Sequence, residues 1–237
     1  MLEGLLYDII FFCCSIGVFA IYHVQLFLRS KSSTGHLTSI GRNHQHREEW
    51  LELMIRGKKD ILAVQTLRNL VMAASLLATA SITLVVLILN IVVNNNLSAV
   101  FDKIRILGAN NKEVLIYKAF ILILVYLFSF LNFATSIRYS THLAFLININ
   151  DCSMRYCNKI MRNASNHYTF GVRSFYFSMV VILWFFDPIF LIVSTVLLVI
   201  WLYFGDSSDF VIPIEEKKAA RNSATNSTDV EMAAKIN

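Results

Sequence analysis

Residues 61–93 read ILAVQTLRNLVMAASLLATASITLVVLILNIVV. A helix rising about 1.5 Å per residue over this stretch exceeds the ~30 Å hydrocarbon core of a bilayer. Its first two turns carry Gln65, Arg68 and Asn69, so those turns are expected in the interface while the apolar remainder crosses. Ala74, Ala78 and Ser81 recur at spacings of four and three, with Ser75 and Thr79 beside them. Such a small-residue stripe lets a second helix approach closely. Packing inside one bundle is its expected use, with contact to a second copy as the alternative.

Three further apolar blocks flank this one, at about 5–28, 114–137 and 175–204. The chain of 237 residues is 56% hydrophobic and 16% charged, with a mean hydropathy of +0.58. A soluble domain carries about 25% charge, so the surface of a water-soluble fold of this length would be undersupplied with polar groups. The first block begins near Glu3 and Asp8 instead of a basic stretch, and it is longer than the roughly 7–15 residue core of a signal peptide. It therefore reads as a retained helix. The fold class that follows is all-α, an integral membrane bundle of four transmembrane helices, residues 1–205. Residues 206–237 form a polar tail expected to be disordered.

The net charge of +5 sits in the segments between blocks, which points to a lipid surface and not to nucleic acid. Arg29, Lys31, Arg42, Arg47, Arg56, Lys58 and Lys59 lie between blocks one and two, and Arg138, Arg155, Lys159, Arg162 and Arg173 between three and four. Lys103, Arg105 and Lys112 lie in the second loop, and Lys217, Lys218, Arg221 and Lys235 in the tail. By the positive-inside bias, the first set faces the cytosol and, with four crossings, both termini are non-cytosolic. Residues 41–60, GRNHQHREEWLELMIRGKKD, place Trp50, Leu53, Met54 and then Ile61 at helical spacing. An amphipathic helix lying on the cytosolic surface before the second span is expected. The stretch NDCSMRYCNKIMRNASNHYTFGVRS (150–174) reads as a short helix, a turn around NASN and the start of the fourth span.

Polar residues inside spans are the natural candidates for function. His23 and Gln25 at the end of the first helix, Gln65, Arg68 and Asn69 at the start of the second, and Asn132, Thr135 and Arg138 at the end of the third share one level if neighbours are antiparallel. A hydrogen-bonded layer anchored by Arg68 is expected there. His142 stands one turn beyond Arg138. In the fourth block, ILWFFDPIFLIV (182–193) sets Asp187 and Pro188 in the middle of an apolar run. A mid-membrane aspartate costs about 2.5–3.5 kcal/mol, which a dozen large apolar residues returning about 0.3–0.6 kcal/mol each outweigh. Asp before Pro matches a helix N-cap followed by its first-turn proline, so the helix is expected to restart here. A protonatable or ion-binding carboxylate at a broken helix is the functional alternative. Cys13, Cys14, Cys152 and Cys157, and the histidines at 36, 44 and 46, lack the spacing of a metal site.

Three stretches, ILAVQTLRNLVMAASLLATASITL (61–84), SIRYSTHLAFLIN (136–148) and GVRSFYFSMVVILWFFDPIF (171–190), resemble an uncharacterised family of four-span membrane proteins, domain of unknown function 599. The resemblance runs from the first helix through the fourth and rests most on AVQTLRN. It implies a membrane location and marks Gln65, Arg68, Asn69, Arg138, His142, Asn148, Arg173 and Trp184. The family pattern has glycine where this chain has Asp187. It implies no reaction.

No Ser-His-Asp set, glycine-rich phosphate loop or metalloenzyme motif occurs in the chain, and no cofactor is expected. The expected function is that of a non-enzymatic, multi-span membrane protein that self-associates or assembles with another membrane protein. A small oligomeric transporter or channel is the alternative.

Overall fold

The computed structural model describes residues 2–31, 39–94, 112–149 and 153–207. Its compact unit covers Met1–Asp206, and of the second unit, Ser207–Asn237, Ser207 alone is described. The expected disorder of the tail thus falls outside the described residues. Those residues form helices without strands: α1 (Leu2–Lys31), α2 (Ser39–Arg56), α3 (Asp60–Val93), α4 (Lys112–Leu146), α5 (Met154–Leu183) and α6 (Pro188–Ser207). Four of them, α1, α3, α4 and α6, are long and apolar enough to cross a membrane.

The centre is an antiparallel trio of α3, α4 and α5. On α3 the inward residues are Ala63, Leu67, Ala74, Ala78, Ser81 and Val85, a helical-period stripe in which the small side chains sit at the middle. Ala74 and Ala78 pack against the ring of Phe133 on α4, so the small-residue stripe is used inside the bundle. At one end Val85 joins Leu115, Leu122 and Tyr126; at the other, Ala63 and Leu67 join Leu143 and Ile147. Numbers rise on one helix as they fall on the other, which fixes the antiparallel order. The α4–α5 pair follows the same rule: Tyr126 meets Phe175, Ser129 Oγ donates to the Gly171 carbonyl at 2.8 Å, and Ser136 Oγ donates to the Ala164 carbonyl at 2.8 Å.

Gly171 makes this closeness possible. A Cβ there would sit 2.8 Å from the Phe133 ring, inside van der Waals contact, and Phe133 itself is fully buried. The helix runs through Asn163, Ala164, Ser165 and Asn166 without the expected turn. The turn preference of Asn and Ser comes from local backbone bonding, and here Ser165 accepts a hydrogen bond from Arg47 instead.

α2 leaves by a turn in which Lys58 adopts φ 49° and the Lys59 and Lys58 amides donate to the Met54 and Ile55 carbonyls at 3.0 and 3.2 Å. That pairing is the Schellman closure of a helix. Leu51 and Met54 are buried against Ala63, Leu67, Leu143, Cys157, Ile160 and Met161. The apolar face of α2, expected on the lipid surface, is therefore turned mainly into the bundle; Leu53 and Ile61 stay exposed.

The expected fourth span, 175–204, is not one helix. Residues 184–187 break it, α5 ends at Leu183 and α6 starts at Pro188. Beyond the break the chain turns back, because Tyr176 meets Trp201 and Arg173 pairs with Asp206. α6 is thus antiparallel to α5. α1 lies along both: Phe12 stacks on Trp184 and Phe19 on Phe177, with opposed numbering, while Ser15 and Tyr22 meet Thr195 and Asp206 in parallel numbering.

Candidate functional site

The break between α5 and α6 leaves orphan carbonyls on one side and orphan amides on the other. Asp187 takes the amides: the Ile189 N–H donates to its Oδ1 at 3.0 Å, with Pro188 at the first helical position. Lys118, on the second turn of α4, takes a carbonyl: its Nζ donates to the Trp184 oxygen at 3.2 Å. A cation there also complements the negative end of the α5 dipole.

Lys118 is in turn paired with Asp8 of α1, Nζ to Oδ1 2.6 Å, with side chains only 1% and 2% exposed. The Trp184 indole N–H donates to the same carboxylate oxygen at 2.9 Å, and the ammonium stands 4.8 Å from the Trp184 ring centroid. Phe12 covers the other partner of the stack, centroids 4.6 Å apart and 8° from parallel. A charge pair removed from water is tolerated only when its remaining valences are filled, and here carbonyl, indole and ring fill them. Asp187 is equally buried, at 1%.

A second ionic cluster lies at the other end of α6. One Arg173 nitrogen, Nη2, donates to both Asp206 oxygens at 2.9 and 2.7 Å, and the Tyr22 hydroxyl donates to Oδ2 at 2.5 Å. Asp206, assigned from sequence to the tail, thus belongs to the bundle. His23 beside it donates from Nδ1 to the Phe19 carbonyl at 2.8 Å. Midway, Thr195 Oγ1 is committed to the Leu191 carbonyl at 2.6 Å, so Ser15 donates to Thr195 at 2.5 Å.

Asp8, Phe12, Ser15, Phe19 and Tyr22 are spaced by four, three, four and three, the heptad rhythm of a helix seam. Polar members hold α4 and α6 and aromatic members hold α5. The rest of α1 is bare, with 6% of its spanning window buried. An open groove of about 520 Å³ remains between α1 and α6, lined by Val18, Ile21, Gln25, Val199, Ile200 and Phe204 among others.

The residues expected to form one polar layer are distributed differently. Gln65, Arg68 and Asn69 are exposed; Arg68 follows Leu67 of the inward stripe and so points about 100° away from it. Gln25 lines the groove, and His23 belongs to the Asp206 cluster. Asn132 is buried, donating to the Phe128 carbonyl at 2.9 Å and accepting from His167 Nδ1 at 3.0 Å. Arg138 and His142 face outward, His142 Nε2 lying 3.2 Å from the Tyr156 hydroxyl. Asp187 is far from all of these, at the helix break. Among the described residues no three His, Cys, Asp or Glu side chains converge on a metal position.

Lys118 and Asp8 were not singled out from sequence as a pair, although a lysine four residues inside an apolar block and an aspartate inside another were a visible signal.

Around α2, Glu48 pairs with Arg162, and burial pushes the His44 imidazole below its ordinary value, with the fields of Arg162 and Arg47 adding to it. Asn166 and Glu48 act in the opposite sense and do not reverse it. The unfolded chain therefore binds a proton at His44 more readily than the folded one, near pH 6.5. Docking of α2 is expected to be fully stable above that value and to weaken as pH falls through it. Hydrogen exchange of the α2 amides at pH 7.5 and 5.5 checks this; His44→Gln should remove the difference.

Residues 10–210 match the family described as "Protein of unknown function, DUF599", and the chain belongs to that family. No curated protein and no solved structure matches it at a significant level.

Proposed function

We propose that this DUF599 family member is a non-enzymatic component of a membrane assembly, built to hold α1 as a docking helix for a second copy or another membrane protein. The observation carrying this reading is how the charges inside the spans are used. Asp8 with Lys118, and Arg173 with Asp206, neutralise one another across helix boundaries. They tie α1 and α6 to the trio. Tyr126, Phe133, Phe177 and Trp184 fill the centre, which argues against a polar path through one copy.

α1 meanwhile offers Ile9, Ile10, Ile16 and Val24 outward. In lipid, helices associate through packing and polar contacts since hydrocarbon gives no hydrophobic drive, so a helix fixed in one orientation by a polar seam is a stable platform. The side bearing α2 faces the cytosol, which leaves the N-terminus on the opposite side, in keeping with the basic residues around α2.

Cys13 and Cys14 are exposed on α1 and supply the test. Oxidative cross-linking in native membranes is expected to give a discrete higher species that Cys13→Ala with Cys14→Ala abolishes. A chain that stays monomeric in membranes and nanodiscs, uncross-linked, and that passes ions or solutes in proteoliposomes would overturn the proposal.

A further inference from the structure

We infer that the chain crosses the bilayer five times: α5 is a crossing that composition conceals, and the half of the bundle holding α2 stands outside the membrane as a helical head.

Direction comes first. α4 runs antiparallel to α3, α5 to α4, and α6 to α5, while α1 is parallel to α6. Asp8, Lys118, Trp184 and Asp187 therefore mark one end of the membrane part, and Tyr22, Arg173 and Asp206 mark the other.

The exposed side chains then show where hydrocarbon stops. On α3 they change from Gln65, Arg68 and Asn69 to Leu76 and onward to Val93. On α4 they change from Phe128 and Leu131 to Arg138 and His142, with Phe145 as an exposed ring beyond them, and on α5 from Arg155, Tyr156, Lys159 and Arg162 to Phe170 and Met179. These changes fall at one height, since Asn132 of α4 bonds His167 of α5 and Phe133 packs on Ala74 and Ala78 of α3. From that height to the far ends of α3, α4 and α5 is about 20 residues each, or about 30 Å, one bilayer core. Leu6–Leu26 of α1 and Pro188–Asp206 of α6, with 21 and 19 residues, fit the same slab. Arg68, Arg138 and Arg162 then lie at the headgroups or beyond, where exposure of a cation costs nothing.

Hydropathy overlooks α5 because most of its polar groups in the slab have partners inside, while Arg173 Nη1 is buried without one. The Gly171 carbonyl accepts from Ser129, Arg173 is paired with Asp206, and Ser178 Oγ donates to the Phe175 carbonyl at 2.6 Å. Polar groups at such depth are costly and usually paired.

Charge distribution gives independent support. An odd number of crossings moves Lys217, Lys218, Arg221 and Lys235 to the side of the α1–α2 and α4–α5 segments, leaving Lys103, Arg105 and Lys112 opposite. The cationic asymmetry becomes much steeper than four crossings allow.

The experiment places an epitope tag at each end of the full chain in sealed vesicles of known orientation. Alongside, Lys159→Cys and Met179→Cys are each made with Cys13, Cys14 and Cys152 replaced by alanine. The tags are expected on opposite sides, the C-terminal one sharing its side with Lys159→Cys. An impermeant maleimide should label Lys159→Cys fully from that side and Met179→Cys from neither. Both tags on one side, a glycan on Asn226 of the Asn-Ser-Thr sequon at 226–228, or labelling of Met179→Cys from water would each overturn the inference. The tagged but otherwise unaltered chain decides the crossing number even if a cysteine variant fails to insert.

Discussion

Lys118→Met is expected to lower stability by about 3–5 kcal/mol, the cost of leaving a buried charge without its partner. The variant keeps the length of the side chain and strips three things at once: the ion pair with Asp8, the hydrogen bond to the Trp184 carbonyl, and the charge over the indole. Asp8 then remains 2% exposed without the ammonium that neutralises it. Melting in lipid nanodiscs measures the loss. The decisive comparison is Asp8→Leu with Lys118→Met, which removes both charges. Because swapping an entire buried pair for apolar groups is often neutral, the double variant should recover most of the stability, giving a large coupling in the cycle. Additive losses would mean that the two groups act separately.

Gly171→Ala is the second change with a large expected effect. Its methyl would enter the Phe133 ring at 2.8 Å, and a buried ring held by Ala74, Ala78 and Tyr168 has nowhere to retreat. Overpacking of this kind costs about 1–3 kcal/mol, here with added loss of the Ser129 and Ser136 hydrogen bonds as α4 and α5 separate. Phe133→Leu should relieve the clash, so the pair of changes is expected to melt higher than Gly171→Ala alone. A lone Gly171→Ala that melts like the parent would show that the helices are not held this closely.

The all-helical class with four helices long and apolar enough to cross a membrane was legible because long apolar runs have few other uses; α1 and α3 lie over the blocks at 5–28 and 61–93, and α4 runs nine residues past the third block. The restart at Asp187–Pro188 was also legible, since cap and proline are neighbours and their preference is local. What escaped was long-range. Asp8 and Lys118 lie 110 positions apart, and nothing near either residue names the other. α5 was divided into fragments because Asn163, Ser165 and Asn166 suggest a turn, while Ser165 and Asn166 are engaged by Arg47 and His44 of α2. Arg68 stood out by charge, yet its position on α3 follows from the stripe through Leu67, which turns it away from the interior. The seam on α1 was visible in the four-three spacing of its polar and aromatic residues, and became meaningful only once two helices were found to receive it.

That seam sets an order for biogenesis. α1 is synthesised before the surfaces that receive it, Trp184, Thr195 and Asp206. Until those are made, Ser15 and Tyr22 lack Thr195 and Asp206, and the newborn chain exposes a polar edge that a quality-control system can read. A chain truncated after Asp187 keeps Lys118 but lacks Thr195 and Asp206, and pulse-chase in cells is expected to show it degraded faster than the full-length protein. The first helix thus works as a late latch, closing only once α6 has been made.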